Sequence, residues 1–245
     1  MSLENKVIVV TGGNGLLGKS FIKAIHKAGG IPIIADIKKE ENSKYEYVKL
    51  DITSKVSILE AIRNIHKKFG HIDALINNAY PRNKNYGRLF EDVEFSDFCD
   101  NLNMNLGGYF LTSQQFIDYF KKQGNGNIIN ISSIYGVVTP RFEIYKDTDM
   151  TTPIEYAAIK SALINLTKYM SKYFKGSNIK FNSVSLGGIL NNQPQSFLSA
   201  YKSYCNDKGM LDPEDIDGVI IFLLSDSSRY INGQNIVIDD GFTLW

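Results

Sequence analysis

The sequence predicts an α/β fold in which helices cover both faces of one doubly wound, mostly parallel sheet of seven strands. Short apolar runs rich in β-branched residues alternate with longer amphipathic stretches. Strands that alternate with helices of this length favour parallel pairing through right-handed crossovers. No linker rich in proline or serine divides the 245 residues, so we expect a single domain spanning 1–245.

The elements follow one another along the whole chain. The predicted strands are short apolar runs at 7–10, 31–35, 47–50, 74–76, 127–131, 179–184 and 235–238. The predicted helices lie between them, at 16–27, 55–68, 95–121, 154–174 and 213–224. The first helix follows a glycine-rich turn directly. The third carries Leu102, Leu106 and Phe110 at the spacing of one helical face, which Phe116 and Phe120 extend.

Charge and hydropathy argue against two classes of protein. The 27 basic and 26 acidic residues leave a net charge of +1, whereas a nucleic-acid-binding protein normally shows a basic excess. The longest apolar run, 219–224, has six residues, and a membrane span needs about 20. The first residues lack the apolar stretch of a secretion signal. We therefore expect a cytoplasmic protein that binds neither nucleic acid nor membrane.

Cysteine and histidine usage gives no sign of metal chemistry. Cys99 and Cys205 have no partner at metal-ligand or redox spacing, and we expect two buried, unpaired thiols. His26, His66 and His71 fall in or just after helical stretches without clustered carboxylates. We interpret them as surface or helix-end histidines, and no metal site is predicted.

The glycine-rich turn after the first strand fits two nucleotide-binding patterns. Gly13, Gly15 and Gly18 match G-x-G-x-x-G at a strand-to-helix junction, where the backbone approaches a pyrophosphate near a helix N-terminus. The same residues, followed by Lys19 and Ser20, also match the phosphate loop G-x-x-x-x-G-K-[ST] of nucleoside triphosphatases. The motif alone leaves both interpretations open.

The end of the second strand favours a dinucleotide and a Rossmann fold. Asp36 follows the glycines by about 20 residues, where such folds place an acid on the adenosine ribose. A carboxylate there accepts hydrogen bonds from both ribose hydroxyls and repels a 2′-phosphate, so we predict NAD as the cofactor. Lys38 and Lys39 lie close enough in sequence that NADP is not excluded.

A tyrosine and a lysine mark the predicted catalytic helix. Tyr156 and Lys160 are four residues apart, which places both side chains on one helical face. The same spacing also occurs at Tyr45/Lys49, Tyr80/Lys84 and Tyr204/Lys208. Only Tyr156 opens a good helix directly after a strand with hydroxyl groups at its carboxyl end, Ser132 and Ser133. Doubly wound sheets place ligands and chemistry at that end.

The chain resembles the short-chain dehydrogenase/reductase family in its compact form. The resemblance covers nearly the whole chain in order. Segment 11–18 resembles the cofactor turn, Asp51 the adenine-contacting acid, and segment 77–79 the Asn-Asn-Ala-Gly motif, with Tyr80 in place of the glycine. Asn105 resembles the active-site asparagine, and segments 182–187 and 231–241 also match family segments.

The resemblance implies catalytic and cofactor-binding residues. The catalytic set is Asn105, Ser133, Tyr156 and Lys160, with Ser133 fitting better than Ser132. The cofactor-binding set is Gly12, Gly13, Asn14, Gly15, Leu16, Leu17, Gly18, Asp36, Asp51, Ile52, Asn78, Ala79, Tyr156, Lys160, Gly187 and Ile189. It also implies a homodimer or homotetramer assembled through the long helices.

The implied reaction is hydride transfer between a nicotinamide and an alcohol or ketone. Tyr156 takes or gives the hydroxyl proton, and the nearby ammonium of Lys160 lowers the pKa of the phenol from about 10 towards neutrality. Ser133 holds the substrate oxygen, Asn105 supports a water, and Lys160 also binds the nicotinamide ribose. A non-catalytic dinucleotide-binding scaffold or sensor and a phosphate-loop triphosphatase are the alternatives.

Several departures from the family pattern bear on the substrate. The glycine spacing T-G-x-x-G-x-x-G, with Leu16 at the family's middle glycine, is typical of extended relatives that often process nucleotide-activated sugars. Ser133 and Tyr156 are separated by 22 residues, more than in most compact members, and Leu186 replaces the usual proline. We expect loops at 137–153 and 188–212 to bind the substrate.

Charged residues in and near these loops point to the substrate class. Two interpretations are open for Arg82, Lys84, Arg88, Arg141 and Lys146: they line one mouth, which suits a phosphate or carboxylate, or they form a solvated loop surface. Together with the glycine spacing, they favour a sugar or nucleotide-sugar intermediate. The chain is also similar to oxidoreductases of bacterial surface-sugar and flagellin-modification pathways, which places the expected function in carbohydrate metabolism.

Overall fold

The computed structural model describes residues 1–244, and its seven strands form one sheet. The strands are β1 (Val7–Thr11), β2 (Ile31–Asp36), β3 (Glu46–Lys49), β4 (Ala74–Asn77), β5 (Gly126–Ser133), β6 (Ile179–Leu186) and β7 (Asn235–Ile238). Every pairing is parallel, and the strand order is β3-β2-β1-β4-β5-β6-β7. After β3 the chain returns to the middle of the sheet, where β4 pairs with the free side of β1, so the strand order reverses between β1 and β4. Doubly wound sheets bind ligands at this position.

Seven helices connect the strands. They are α1 (Leu16–Lys27), α2 (Lys55–Phe69), α3 (Phe95–Leu102), α4 (Gly108–Gln123), α5 (Ile154–Tyr173), α6 (Gln195–Lys202) and α7 (Asp217–Leu224). A π-helical turn, Asn103–Gly107, joins α3 to α4, so the predicted helix at 95–121 is one continuous but distorted rod. The predicted α/β class, the seven strands and the helices on both faces are confirmed.

The core lies on both faces of the sheet because its strands are apolar at successive positions. In β1, Val7 and Val9 pack on one face with α2, α4 and α5, while Ile8 and Val10 pack on the other with α1 and α7. All four side chains have no exposed surface. Alternate side chains of a strand point to opposite faces, so a strand buried on both sides must be apolar throughout.

Segment 188–212, predicted to be a loop, contains a helix. Helix α6 begins after Pro194 and buries Phe197 and Tyr201, which lie four residues apart and so share one face. These rings pack with Tyr135, Ile144 and Phe242 in a hydrophobic cluster separate from the two clusters on the faces of the sheet. The period-3.6 signal of α6 spans only two turns and is surrounded by polar residues, which explains why the sequence pattern did not reveal it.

The expectation for the two cysteines is half right. Both are unpaired, as predicted. They are not buried, however: Cys99 is exposed on α3 and Cys205 is only partly covered. Cys99 lies on the solvent side of a short amphipathic helix.

In residues 1–244, no helix is long and apolar enough to cross a bilayer.

Candidate active site

A cleft of about 930 Å³ opens at the carboxyl ends of the central strands, where the strand order reverses. Helix α5 and the segments after β4 and β6 form its other walls. Most of the residues predicted to bind cofactor or substrate line it: Gly12, Gly15, Leu16, Leu17, Asp36, Asp51, Ile52, Asn78, Ala79, Ser133, Tyr156, Lys160, Gly187 and Ile189. Residues from seven separate segments of the chain therefore meet in one cavity.

The glycine turn allows the backbone to approach a ligand because side chains would not fit. Gly12 has φ +63°, and a Cβ there would lie 2.8 Å from the Ala79 Cα. A Cβ on Gly18 would lie 2.2 Å from the Gly12 carbonyl oxygen. Gly13 packs against Ile34 in the same way. Gly13 and Gly18 thus lie beneath the turn and shape it, whereas Gly12 and Gly15 face the cleft, as a pyrophosphate cradle requires.

Hydrogen bonds hold the turn against the end of β4. The Thr11 hydroxyl accepts from the backbone N–H groups of Asn78, at 2.9 Å, and Ala79, at 3.1 Å. The Asn78 amide donates back to the carbonyl oxygens of Thr11 and Gly12, at 3.0 and 3.2 Å. The floor of the cleft is therefore fixed by two adjacent strand ends before any ligand binds.

Asp36 sits at the edge of the cleft next to the glycine turn. Its carboxylate accepts a hydrogen bond from the backbone N–H of Asn14 at 3.2 Å. The Asn14 side chain turns away and donates to the Lys38 carbonyl oxygen at 2.6 Å, so it braces the turn rather than lining the cleft. The carboxylate keeps unused acceptor positions for ribose hydroxyls.

Lys19, which completes the phosphate-loop pattern, does not face the cleft. Its ammonium pairs with the carboxylate of Glu40 at 2.6 Å, and both side chains are about half exposed. A phosphate-loop lysine has to reach the nucleotide phosphates. The structure gives Lys19 a partner on the outer surface instead, which disfavours the triphosphatase interpretation.

Tyr156 and Lys160 lie in the first two turns of α5, beside the end of β5. Lys160 is 5% exposed, and its ammonium donates to the Ile131 carbonyl oxygen at 3.0 Å. The Ser132 hydroxyl donates to the Lys160 carbonyl oxygen at 2.8 Å, which leaves Ser133 as the hydroxyl free to face a ligand. A Cβ on Gly136 would lie 2.6 Å from the Lys160 backbone, so this glycine lets α5 approach the strand end.

Burial dominates the ionisation of these two groups. It lowers the pKa of Lys160 from 10.5 to about 8. It raises the pKa of Tyr156, and a hydrogen bond with Ser133 opposes that rise. The expectation that Lys160 lowers the Tyr156 pKa is wrong for this structure. Burial destabilises the charged phenolate by more than the neighbouring groups stabilise it, so the pKa rises.

Asn105 lies behind the cleft wall rather than on it. It occupies the π-helical turn, is 1% exposed, and its amide donates to the carbonyl oxygens of Pro81 and, at 3.4 Å, Asn101. The preceding residue, Met104, reaches the cleft instead. Single π-helical turns are frequent at functional sites because they redirect side chains.

Two tyrosines near the catalytic pair were not identified as site residues from the sequence. The Tyr80 ring packs edge-on against Tyr156, with centroids 5.7 Å apart, and the Lys160 ammonium lies 5.4 Å from its centroid. The Tyr80 hydroxyl bonds to that of Tyr86. The sequence signal that could have identified Tyr80 is that a large aromatic residue stands where the family has a glycine.

The five cationic residues expected at one mouth are dispersed. Arg82 lines the cleft, and Lys84 is exposed outside its lining. Arg88 pairs with Asp97, and Lys146 lies with it on a different cavity. Arg141 stacks on Tyr204 and Phe242, with its guanidinium carbon 4.3 and 5.4 Å from the ring centroids. The prediction of a single cationic mouth is wrong, because Arg82 lines one cavity, Arg88 and Lys146 line another, and Arg141 stacks on two aromatic rings.

That different cavity, also of about 930 Å³, lies outside the catalytic groups. Segment 137–153 curves around it, and the outer face of α5 and residues 88–90 complete its walls. Tyr135, Tyr145 and Met150 line both cavities and separate them. We call the first cavity the cofactor cleft and the second the loop cavity.

Comparison with known proteins extends these observations. A family model described as enoyl-(acyl carrier protein) reductase matches residues 22–243. Post-translational flagellin modification protein A of Campylobacter coli is 43% identical, over 99% of this chain and 100% of that protein. The 7alpha-hydroxysteroid dehydrogenase of Bacteroides fragilis is 32% identical, over 98% of this chain and 95% of that protein.

One solved structure is similar to this chain in both fold and sequence. The short-chain dehydrogenase from Leptospira borgpetersenii, determined with bound NAD+, has a TM-score of 0.89 and 32% identity. The match covers 99% of this chain and 94% of that one. The similarity spans the glycine turn, the sheet and the tyrosine-lysine helix alike. The chain therefore belongs to the short-chain dehydrogenase/reductase family of NAD(P)-dependent oxidoreductases.

Proposed function

We propose that the protein is an NAD-linked alcohol dehydrogenase or ketoreductase that acts on a sugar or nucleotide-sugar intermediate. One observation carries the assignment of chemistry. The hydroxyls of Ser133 and Tyr156 face the same cleft, with the buried ammonium of Lys160 one helical turn from the phenol. This set can hold a substrate oxygen and exchange a proton with it.

Each residue has a defined part in that chemistry. Ser133 donates a hydrogen bond that fixes the substrate oxygen beside the phenol. Tyr156 is protonated at neutral pH because burial raises its pKa, so its Oη–H is the donor to a carbonyl oxygen during reduction. Lys160 stabilises the phenolate that remains. The nicotinamide, when bound, supplies or accepts the hydride. Asn105 orients the turn behind these groups.

Asp36 supports NAD over NADP. Its carboxylate lies on the cleft at the end of β2 and uses one acceptor position on the turn that it adjoins. Two further acceptor positions suit ribose hydroxyls, and the negative charge repels a 2′-phosphate. Lys38 and Lys39 lie two and three residues beyond Asp36, and the Lys38 backbone binds both the Asn14 amide and the Asp36 carboxylate. Neither lysine lines the cleft.

Two observations support a sugar as the substrate. The relative that is 43% identical is named for flagellin modification. The substrate end of the cleft presents polar groups from Tyr80, Arg82, Asn191 and Gln193. Segments 137–153 and 188–212 border this end through Tyr145, Met150 and α6, and we assign them as the substrate loops.

Exposed aromatic residues on α4 and α5 support a homodimer or homotetramer. Phe110, Tyr169 and Tyr173 are 50%, 62% and 68% exposed, and the two tyrosine rings stack 5.8 Å apart. An apolar helix face of this kind usually meets a second subunit. The two unpaired cysteines suit the reducing cytoplasm, our proposed location. Light scattering of wild type and Tyr173→Asp tests the assembly, since the variant should reduce the measured mass.

Nucleotide binding separates the proposed function from its alternatives. We expect NADH to raise the melting temperature more than NADPH, and ATP to leave it unchanged. Screening keto-sugars and their nucleotide conjugates for NADH oxidation then identifies the substrate class. Stabilisation by ATP alone would support the triphosphatase. NADH binding without turnover of any carbonyl compound would support the scaffold or sensor.

A further inference from the structure

The segment immediately after β4 builds a wall of the cleft beside the catalytic pair. Tyr80 occupies the position of the family's glycine, lines the cleft and packs its ring edge-on against that of Tyr156. The Lys160 ammonium lies 5.4, 5.5 and 5.9 Å from the centroids of Tyr80, Tyr156 and Tyr109. The ring of Tyr80 therefore completes an aromatic cage around the catalytic cation.

The hydroxyl of Tyr80 forms a pair with that of Tyr86. The rings lie 5.8 Å apart at 88°, and the two oxygens share a short hydrogen bond. Burial raises the pKa of both phenols, so both keep their protons at neutral pH. Two O–H groups are present and their mutual bond uses one of them. The other remains available to an acceptor on a ligand.

Arg82 adds a positive charge to this pair. Its guanidinium lines the cleft, and its charge favours the ionised form of both phenols, against the effect of burial. Within residues 1–244, no carboxylate lies within 4.0 Å of Arg82, whereas Arg88 in the same segment is paired with Asp97. An arginine left without a carboxylate beside two phenols is equipped to bind an oxyanion.

A network of amide side chains holds this segment rigidly in place. The Asn83 N–H donates to the Asn101 side chain at 3.1 Å, and the Asn101 amide donates to the buried carboxylate of Glu155 at 3.3 Å. Asp97 accepts from the amides of Asn83 and Asn85, at 2.8 and 2.9 Å. The wall is thus anchored to α3 and to the residue preceding Tyr156. Its position relative to the catalytic phenol is fixed without a ligand.

The charges that line the cleft are divided between its two ends. The acidic side chains, Asp36 and Asp51, lie at the adenosine end, next to β2 and β3. The cationic ones, Lys160 and Arg82, lie at the end that holds Ser133. Both charged side chains that line the substrate end are therefore cationic, which favours an anionic substrate group over a cationic one.

We propose that Tyr80, Arg82 and Tyr86 form a recognition site for an anionic group, a phosphate or a carboxylate, on the substrate. The inference rests on the proposed function, since it concerns the substrate of the same cleft. Arg82 supplies charge and paired N–H donors, and the tyrosine pair supplies the remaining O–H donor. The anion lies on the far side of the Tyr80 ring from Lys160, so the reacting carbon stays beside Tyr156.

Binding of simple anions tests the site without knowledge of the substrate. Inorganic phosphate and acetate are titrated separately into the NADH complex, in which the pyrophosphate site is filled, and heat of binding is recorded. We expect saturable binding of at least one anion, and the stronger of the two identifies the group. Arg82→Gln should weaken it on the order of 10- to 100-fold. Lys84→Gln, a matched exposed cation outside the cleft, should leave it unchanged.

Turnover of matched ketones gives a second readout. Dihydroxyacetone is compared with its phosphate, and acetone with acetoacetate. The anionic member should have the higher kcat/KM, and Arg82→Gln should remove the preference through KM with little change in kcat. Tyr80→Phe and Tyr86→Phe, which keep the rings, should each weaken the preference about threefold to tenfold.

The outcomes distinguish this site from the proposed function. Absence of saturable phosphate and acetate binding in the wild type overturns the site, as does equal binding by Arg82→Gln. Loss of NADH affinity in Arg82→Gln also overturns it, because the arginine then contacts the cofactor pyrophosphate. Failure of the wild type to bind NADH contradicts the proposed function, and the same titrations on the free protein still decide whether Arg82 binds an anion.

Discussion

The cofactor cleft and the loop cavity have the same volume, about 930 Å³, and are built in different ways. The ends of six strands, the glycine turn and α5 form most of the cleft, where hydrogen bonds between Thr11 and Asn78 and between Ser132 and Lys160 hold the walls together. The loop cavity is enclosed mainly by segment 137–153, whose one regular element is the short turn Phe142–Tyr145. Strand ends thus produce a site of fixed geometry, whereas a loop produces one that can vary between relatives.

The wall between the two cavities is built from short 3-10 turns and loop rather than from a strand or an α-helix. The Tyr145 hydroxyl donates to that of Tyr135 at 3.0 Å, and Tyr145 packs on Phe197 of α6 with centroids 5.1 Å apart. The loop at 137–153 therefore contacts the segment that covers the cleft.

The largest expected effect on cofactor binding lies in the glycine turn of the cleft. Gly18→Ala places a methyl group 2.2 Å from the Gly12 carbonyl oxygen, so the turn must shift. We expect NADH affinity to fall on the order of 100-fold and the free energy of unfolding by about 1–3 kcal/mol. Isothermal titration and denaturant unfolding measure both.

A matched glycine in α7 provides the control. A Cβ on Gly218 meets no atom within 4 Å, so Gly218→Ala should leave NADH affinity unchanged and stabilise the helix by up to about 1 kcal/mol. Equal effects of the two substitutions would contradict the fixed geometry assigned to the turn.

The next effect comes from the buried cation of the cleft. Burial lowers the pKa of Lys160 from 10.5 to about 8 in the folded protein. Between these pH values the unfolded chain binds more protons at this residue than the folded one does. Its contribution to the free energy of unfolding therefore increases as the pH rises from about 8 to 10.5. Relative to Lys160→Met, the wild type should gain on the order of 2 kcal/mol across that window.

Denaturant unfolding at several pH values checks this prediction. Lys168→Met removes an exposed lysine from the same helix and should show no such pH-dependent difference from the wild type. Parallel stability curves for wild type and Lys160→Met would show that the ammonium is solvated, contrary to the geometry of the cleft.

A smaller effect is expected in the loop cavity. Phe142 lines it and is 65% exposed, so Phe142→Ala should change the free energy of unfolding by no more than about 0.5 kcal/mol. NADH affinity should stay the same because no cleft wall is altered. The relative kcat/KM of small and large ketones is the quantity that should change. A large loss of NADH affinity would show that the two cavities are not independent.

The smallest effect on ligand binding and turnover is expected for the lysine of the phosphate-loop pattern. Lys19→Ala breaks an exposed ion pair with Glu40, which is worth at most about 1 kcal/mol. NADH affinity should be unchanged. Loss of nucleotide binding in this variant would restore the triphosphatase interpretation. It would also show that Lys19 contacts the nucleotide rather than forming only a surface ion pair.

The sheet and the cleft could be predicted because their signals are local. β1 is apolar from Val7 to Val10 since both of its faces are covered, and Gly12 and Gly18, which follow it, occupy places where a Cβ collides with backbone. Tyr156 and Lys160 share a helix, so their spacing alone places them together. These features depend on a few adjacent residues and on regular geometry.

The substrate side could not be predicted because it depends on the path of loops. Arg82 and Arg141 were expected at one mouth, yet one lines the cleft and the other stacks on Phe242. The contact of Tyr80 with Tyr156 joins segments 76 residues apart. The direction of the Tyr156 pKa shift depends on burial, which the residue pattern does not state.

Proton transfer by Tyr156 is the central claim, and hydride transfer in Tyr156→Phe tests it most directly. Single-turnover oxidation of NADH is followed with a ketone that the wild type reduces, with Tyr169→Phe, an exposed tyrosine of the same helix, as the control. We predict a rate lower by on the order of 1,000-fold in Tyr156→Phe, with NADH affinity and melting temperature unchanged. A rate equal to that of the wild type would contradict the assignment.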